Sequence, residues 1–168
     1  MQPYLDQIRR ILDHEDWSYS VQENPGHTFL LSSFTGESTR MDVVFDTVPE
    51  TDTVMCFVYL PVVVPEARRP AVAELAARIN YRLSLGCFDF DPDDGVLRAR
   101  DSLDLQGMEL TAGILQGLRD AAIATADHYN AAVMRVLYAG ISPKQALDEL
   151  LAQSGEDDAP SPVGRVLQ

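Results

Sequence analysis

From Thr53 to Leu60 the chain is apolar at nearly every position, with Val54, Met55, Cys56, Phe57, Val58 and Tyr59 in succession. β-branched and aromatic residues dominate, and successive side chains of a strand point to opposite faces, so both faces of this strand need cover. Such a strand sits in the middle of a sheet or beneath another element. The apolar stretch continues to Val64 but is broken by Pro61, and it falls far short of the roughly 20 residues that span a bilayer. The cover has to come from the rest of the chain or from a partner.

The neighbouring segments supply a sheet. Trp17, Tyr19 and Val21 alternate with Ser18, Ser20 and Gln22, which predicts a strand with one buried face. Asn24-Pro25-Gly26 turns the chain into a second strand over Thr28 to Phe34, and Thr35-Gly36-Glu37 turns it into a third over Arg40 to Asp46. After the polar loop containing Pro49 comes the apolar strand. Farther on, Phe88 and Phe90 alternate with Asp89 and Asp91, and Asp91-Pro92-Asp93-Asp94-Gly95 leads into a strand over Val96 to Leu103, which predicts a hairpin.

Helical spacing appears at four places. Tyr4, Leu5, Ile8, Ile11 and Leu12 mark a first helix over about 3–14, and Val72, Leu75, Ala76, Ile79 and Leu83 mark a second after Pro65 and Pro70. A third helix runs from about Thr111 to Tyr138 with only Arg119, Asp120, Asp127 and Arg135 charged, so it is buried on more than one side, by the monomer core or by a dimer interface. Gly140 is placed to stop it, and Ser142-Pro143-Lys144-Gln145 opens a short fourth helix with a capping box. The order α–β–β–β–β–α–β–β–α–α predicts an α+β fold, an antiparallel sheet with helices packed on one side.

At 168 residues this is one domain, expected over 1–153, with an acidic, proline-containing flexible tail over 154–168. The formal charge is −13, of which the tail carries only −2, so the acidity belongs to the domain. Phosphate backbones are repelled by such a surface, and nucleic acid is not an expected partner. Cys56 and Cys87 form no C-x-x-C pair and read as reduced thiols of a cytoplasmic protein. The N-terminal residues lack the pattern of a signal peptide, and neither membrane insertion nor anchoring is expected.

The residues offer no catalytic constellation. His14, His27 and His128 are isolated; Asp127 and His128 are adjacent on a helix, about 100° apart, and cannot pair as a dyad. No phosphate-loop, nucleophile-elbow or zinc-protease motif occurs. The segment beginning Asp89-Phe90-Asp91 opens like a calcium loop, but its sixth position is Asp94 and its twelfth Arg100 where Gly and Glu are required, so a hairpin turn is the better reading. Were there an unfamiliar enzymatic site, Asn80, Tyr81, Tyr129 and Asn130 would be its first suspects. No cofactor and no metal are expected.

Leu75 to Leu83, then Gly86-Cys87-Phe88-Asp89-Phe90-Asp91, Gly95 to Arg100 and Ala126-Asp127-His128-Tyr129 resemble the YbjN family. The resemblance covers about Leu5 to Gly140. It implies the fold of type III secretion chaperones, often dimeric, and a place among bacterial sensory transduction regulators with no catalytic signature. Residues and resemblance together suggest a non-enzymatic, protein-binding regulator or chaperone-like adaptor acting as a homodimer. A small-molecule sensor and an enzyme with an unrecognised site are the alternatives. The candidate contact residues are Val54, Phe57, Tyr59 and Val62 on the apolar segment, with Leu115 and Ile123 on the long helix.

Overall fold

A computed structural model describes residues 3–37 and 39–155. Beyond Ser154 and Gly155, the expected tail lies outside the described residues. The elements follow the expected order: α1 (Pro3–His14), β1 (Ser20–Asn24), β2 (His27–Thr35), β3 (Arg40–Val48), β4 (Thr53–Val63), α2 (Arg69–Asn80), β5 (Cys87–Phe90), β6 (Val96–Asp104), α3 (Ala112–Met134) and α4 (Pro143–Ser154). All strand pairs are antiparallel, in a six-stranded sheet of order β1-β2-β3-β4-β6-β5. The doubly apolar strand is therefore interior, between β3 and β6, as its composition required.

β4 does not end at Pro61. Its register runs Tyr59↔Arg98 and then Val63↔Val96, so the strand bulges in between. Proline has no N–H to give to a ladder, and a bulge is where a strand tolerates it. The first strand begins later than the alternation suggests. Trp17 is held by a side-chain bond, its Nε1 donating to Ser32 Oγ at 2.6 Å, while Ser32 Oγ donates to the Ser18 carbonyl at 2.6 Å. Arg119 lies over the Trp17 ring at 4.4 Å and pairs with Glu15 at 2.7 Å, tying α3 to the end of α1.

The helical layer covers one face of the sheet. Met41, Val43 and Phe45 of β3, Val54, Cys56 and Val58 of β4, and Leu97 and Ala99 of β6 share that face and merge with Leu5, Ile8, Leu12, Leu75, Ile79 and Leu147 in one core. α3 packs against β4 and β6 and also against α4. Leu115, Leu118, Ala122, Ile123, Ala126 and Val133 are all buried within the single chain. The surplus apolar surface of the long helix is thus consumed by the core, because the helix is enclosed between sheet and α4.

Local chemistry explains the element ends. Thr111 caps α3, its side chain accepting from the Ile114 N–H at 3.3 Å, and a π turn over Arg135–Ala139 with Gly140 at φ +67° closes it. Ser142 caps α4 by accepting from Gln145 N–H at 3.3 Å, but Gln145 spends its amide on Glu149 at 2.8 Å, so only half of the capping box forms. The β5–β6 connection is a hairpin turn, in which Gly95 N–H donates to the Asp91 carbonyl at 2.8 Å and Asp93 N–H to the Asp91 side chain at 2.8 Å.

Two side chains fasten the sheet's extremities to the helices. Asp127 of α3 accepts from the Glu37 N–H at 3.1 Å, clamping the β2–β3 turn. The approach is so close that a Cβ added at Gly36 would lie 2.0 Å from Asp127 Oδ1. Asn80, at the end of α2, accepts from the Phe88 N–H at 2.7 Å and donates to the Phe88 carbonyl at 3.0 Å. Its carboxamide takes the place of a further strand along the outer edge of β5. An edge closed in this way cannot template pairing with another chain at that position.

Candidate functional site

The face of the sheet opposite the helices is built from the odd-numbered residues of β4. Met55, Phe57 and Tyr59 point there while Val54, Cys56 and Val58 point into the core, which is the period-two alternation of a strand. Register then places one continuous row across all six strands: Cys87, Arg100, Phe57, Val44, Leu31 and Ser20. A second row beside it runs Asp89, Arg98, Tyr59, Asp42 and Ser33. Each row is polar at its ends; the first is apolar at its middle.

Phe57 is only 6% exposed, yet it lies outside the contiguous hydrophobic cluster beneath the helices. Its neighbours on the same face cover it. The Arg98 guanidinium lies 4.1 Å above the Phe57 ring centroid and 5.6 Å from that of Tyr59. Arg98 also donates to Tyr59 Oη at 2.8 Å and approaches Asp89 at 3.5 Å. Arg100 grips Asp89 with two donors, Nε at 2.8 Å and Nη2 at 3.3 Å, and reaches Ser102 Oγ at 3.1 Å. A cation held over an aromatic face that water still reaches gains about 0.5–1 kcal/mol. The Arg98 side chain is a third exposed, so the lid is a surface lid.

The electrostatics favour holding over reacting. Partial burial raises the Asp89 carboxyl, but the Arg100 hydrogen bonds and the charges of Arg100 and Arg98 outweigh it, so Asp89 stays ionised below its ordinary range. Cys87 donates to Asp89 at 3.6 Å, and burial followed by the nearby carboxylates pushes its thiol up despite Arg100. The thiolate needed for nucleophilic chemistry is thereby disfavoured. Burial likewise pushes the Cys56 thiol up. An open concavity of about 750 Å³ lies at the β5–β6 end of this face, lined by Tyr59, Asp89, Phe90, Asp94 and Arg98 among others.

The six contact residues expected from sequence separate into groups. Val54 and Leu115, at 1% and 0% exposure, are in the core, and Ile123 is buried with them. Val62 is half-buried and packs against the core edge past the bulge. Phe57 and Tyr59 alone reach the helix-free face, side by side with ring centroids 6.4 Å apart. Sequence reasoning missed Arg98, Arg100 and Asp89. The alternation Leu97-Arg98-Ala99-Arg100 carries the signal that puts both arginines on one face of the strand; only the register sets them beside Phe57 and Tyr59.

The residues suspected for an enzymatic site are engaged in structural contacts or exposed on a groove. Asn80 is occupied with the Phe88 backbone, while Tyr81 is 65% exposed on another groove. Tyr129 and Asn130 are buried in α3, with the Tyr129 ring edge-on to Phe88. Among the described residues no group of three or more His, Cys, Asp or Glu is arranged to hold a metal ion, and no helix is long and apolar enough to cross a membrane.

Comparison with known proteins gives three likenesses. The YbjN family, described as "Putative bacterial sensory transduction regulator", matches residues 4–135. The crystal structure of YbjN from E. coli shares the fold, with a TM-score of 0.52 and 19% identity over 76% of this chain and 91% of that one. A weaker likeness, at a TM-score of 0.47 and 12% identity, is to the ExsC–ExsE complex, over 74% of this chain and 92% of that one. No curated protein sequence matches.

Proposed function

The chain belongs to the YbjN family, and from that premise we propose that it is a non-enzymatic regulator or chaperone-like adaptor that binds another polypeptide on the helix-free face of its sheet. The observation that carries this reading is the row through Arg100, Phe57, Val44 and Leu31, an apolar centre with no helix over it among the described residues. Aromatic and arginine residues dominate the energetics of protein contacts, and Phe57, Tyr59, Arg98 and Arg100 are concentrated there. Of the contacts expected from sequence, Phe57 and Tyr59 lie on this face and are the ones proposed. The shared Asp89 holds both arginines oriented, so the surface offers a guanidinium pair and the Tyr59 ring, with Phe57 beneath the Arg98 lid.

Site-specific photocrosslinking inside the native cell tests this. A photoreactive phenylalanine at Met55, on the helix-free face, is expected to yield a discrete protein adduct. The same probe at Gln116, exposed on α3, is expected to yield none. Equal adducts at both positions, or none at Met55, would remove the sheet face as the binding surface.

A further inference from the structure

Phe57 is covered by a side chain that is loosely held. Asp89 spends both carboxylate oxygens on Arg100, Oδ2 accepting from Nε at 2.8 Å and Oδ1 from Nη2 at 3.3 Å. Arg98 reaches the same carboxylate only at 3.5 Å, and its short hydrogen bond is to Tyr59 Oη at 2.8 Å. Of the two arginines, Arg98 is therefore the one able to leave. Its departure breaks the contact with the Phe57 ring and one short hydrogen bond.

The concavity beside it receives what leaves. On β6, Arg98 stands between Arg100, which pairs with Phe57, and Val96, whose carbonyl accepts from the Asp91 N–H at 3.0 Å. Alternate residues of a strand are about 6.6 Å apart on one face, so the Phe57 row and the Asp91 row flank the Arg98 stem symmetrically. Asp91 and Asp94 line the open concavity of about 750 Å³, as Arg98 itself does. Each gives its Oδ1 to a backbone N–H, of Asp93 and of Val96, both at 2.8 Å. Their Oδ2 atoms have no protein partner among the described residues.

We propose that Arg98 is a gate: its guanidinium exchanges between the Phe57 ring and the Asp91–Asp94 side of the concavity, and the open position uncovers a site over Phe57 for one uncharged aromatic or large aliphatic side chain of a bound polypeptide. Charge selects that occupant. With Arg98 withdrawn, Asp89 and Arg100 remain as a one-to-one pair, and the rest of the floor is Phe57, Val44, Leu31 and Met55. A charged side chain placed there loses its water with no counter-charge in exchange, whereas an apolar one gains by burial against the Phe57 ring. The inference rests on the sheet-face reading and deepens it, because it names the residue that moves before Phe57 can be touched. The closed position has more contacts and is the major one. An open fraction of about a tenth lowers the apparent affinity by that fraction, so removing the gate raises affinity about tenfold.

Titration of the full chain with N-acetyl-tryptophanamide, an uncharged aromatic, followed by amide NMR, tests the gate. The probe is expected to move the signals of Leu31, Val44 and Phe57, and R98A is expected to bind it about tenfold more tightly. D91N/D94N keeps the Oδ1 acceptors of the turn and removes the charges that receive Arg98. It is expected to bind the probe about two- to fivefold more weakly than wild type, the worth of one surface ion pair. In R98A/D91N/D94N that loss is expected to vanish, since no guanidinium remains to be received. Unchanged or weaker binding in R98A overturns the proposal, as does a D91N/D94N loss that persists without Arg98. Probe signals confined to Ala77 and Leu151, in the groove between α2 and α4, overturn it too. Its failure is separable from failure of the sheet-face reading: a Met55 adduct in the cell with probe binding unchanged in R98A removes the gate alone, and tighter probe binding in R98A without a Met55 adduct removes the polypeptide partner alone.

Discussion

Asn80→Ala is the most discriminating perturbation of the fold, because one side chain serves both polar groups of one residue on an edge strand. The wild-type carboxamide donates to the Phe88 carbonyl at 3.0 Å and accepts from the Phe88 N–H at 2.7 Å. Phe88 is paired with Ala99 of β6 in the ladder, yet its own N–H and carbonyl face away from β6, toward Asn80. Alanine leaves both without a partner. Each unmade bond costs about 1–3 kcal/mol when fully buried and less where water reaches, so the edge position sets the sum at about 2 kcal/mol. For a chain of this size that lowers the melting temperature by about 4–8 °C. Asn80→Asp keeps the acceptor for the Phe88 N–H but sets a carboxylate against the Phe88 carbonyl, and is expected to fall by a similar amount. Hydrogen exchange separates this local mechanism from general loosening: the Phe88 amide loses protection in N80A while Val58 and Phe45 amides change only by the global loss. With the edge uncovered, N80A is also expected to associate at high concentration through β5. Unchanged protection at Phe88, or a melting temperature within about 1 °C of wild type, would refute the reasoning.

Three further outcomes follow from the same geometry. Gly36→Ala places a methyl against Asp127 and displaces the carboxylate from the Glu37 N–H, costing about 1–2 kcal/mol; G36A/D127A is expected to be no less stable than D127A alone, and additive losses in a double-mutant cycle contradict the clamp. Asp89 has a folded pKa below its ordinary value, so its ion pairs contribute above about pH 4 and are lost as pH falls through the folded value; D89N is expected to be about 1 kcal/mol less stable than wild type at pH 7 by denaturant titration, and the gap closes toward pH 2. Arg98→Ala removes the lid over Phe57, and is expected to cost about 1 kcal/mol and raise the binding of a dye for exposed apolar surface; no change in dye binding contradicts the lid.

The order of elements, the sheet's antiparallel character and the interior place of β4 were legible in the chain. Each rests on interactions local in sequence: alternation at period two, helical spacing at 3.6, Gly140 at a helix stop, Ser142 at a cap. Boundaries failed where a tertiary contact overrode the local pattern. Trp17 alternates like a strand residue but is claimed by Ser32 and Arg119. Pro61 looks like a strand end but sits in a bulge.

The candidate site was legible only in part, for the same reason. Composition alone established that β4 needs cover on both faces and that α3 carries more apolar surface than one face can use. Neither fact says which surplus is satisfied within the monomer. Val54, Leu115 and Ile123 are chemically indistinguishable in sequence from a binding surface, and only the packing of α3 between the sheet and α4 puts them inside. Phe57 stayed outside that core because an odd position of β4 faces away from the helices. Its cover is Arg98, a residue 41 positions along the chain, brought over it by strand register. Periodicity tells each strand which of its faces is apolar; the pairing of distant strands is a property of the assembled sheet, and that pairing decided what the helix-free face contains.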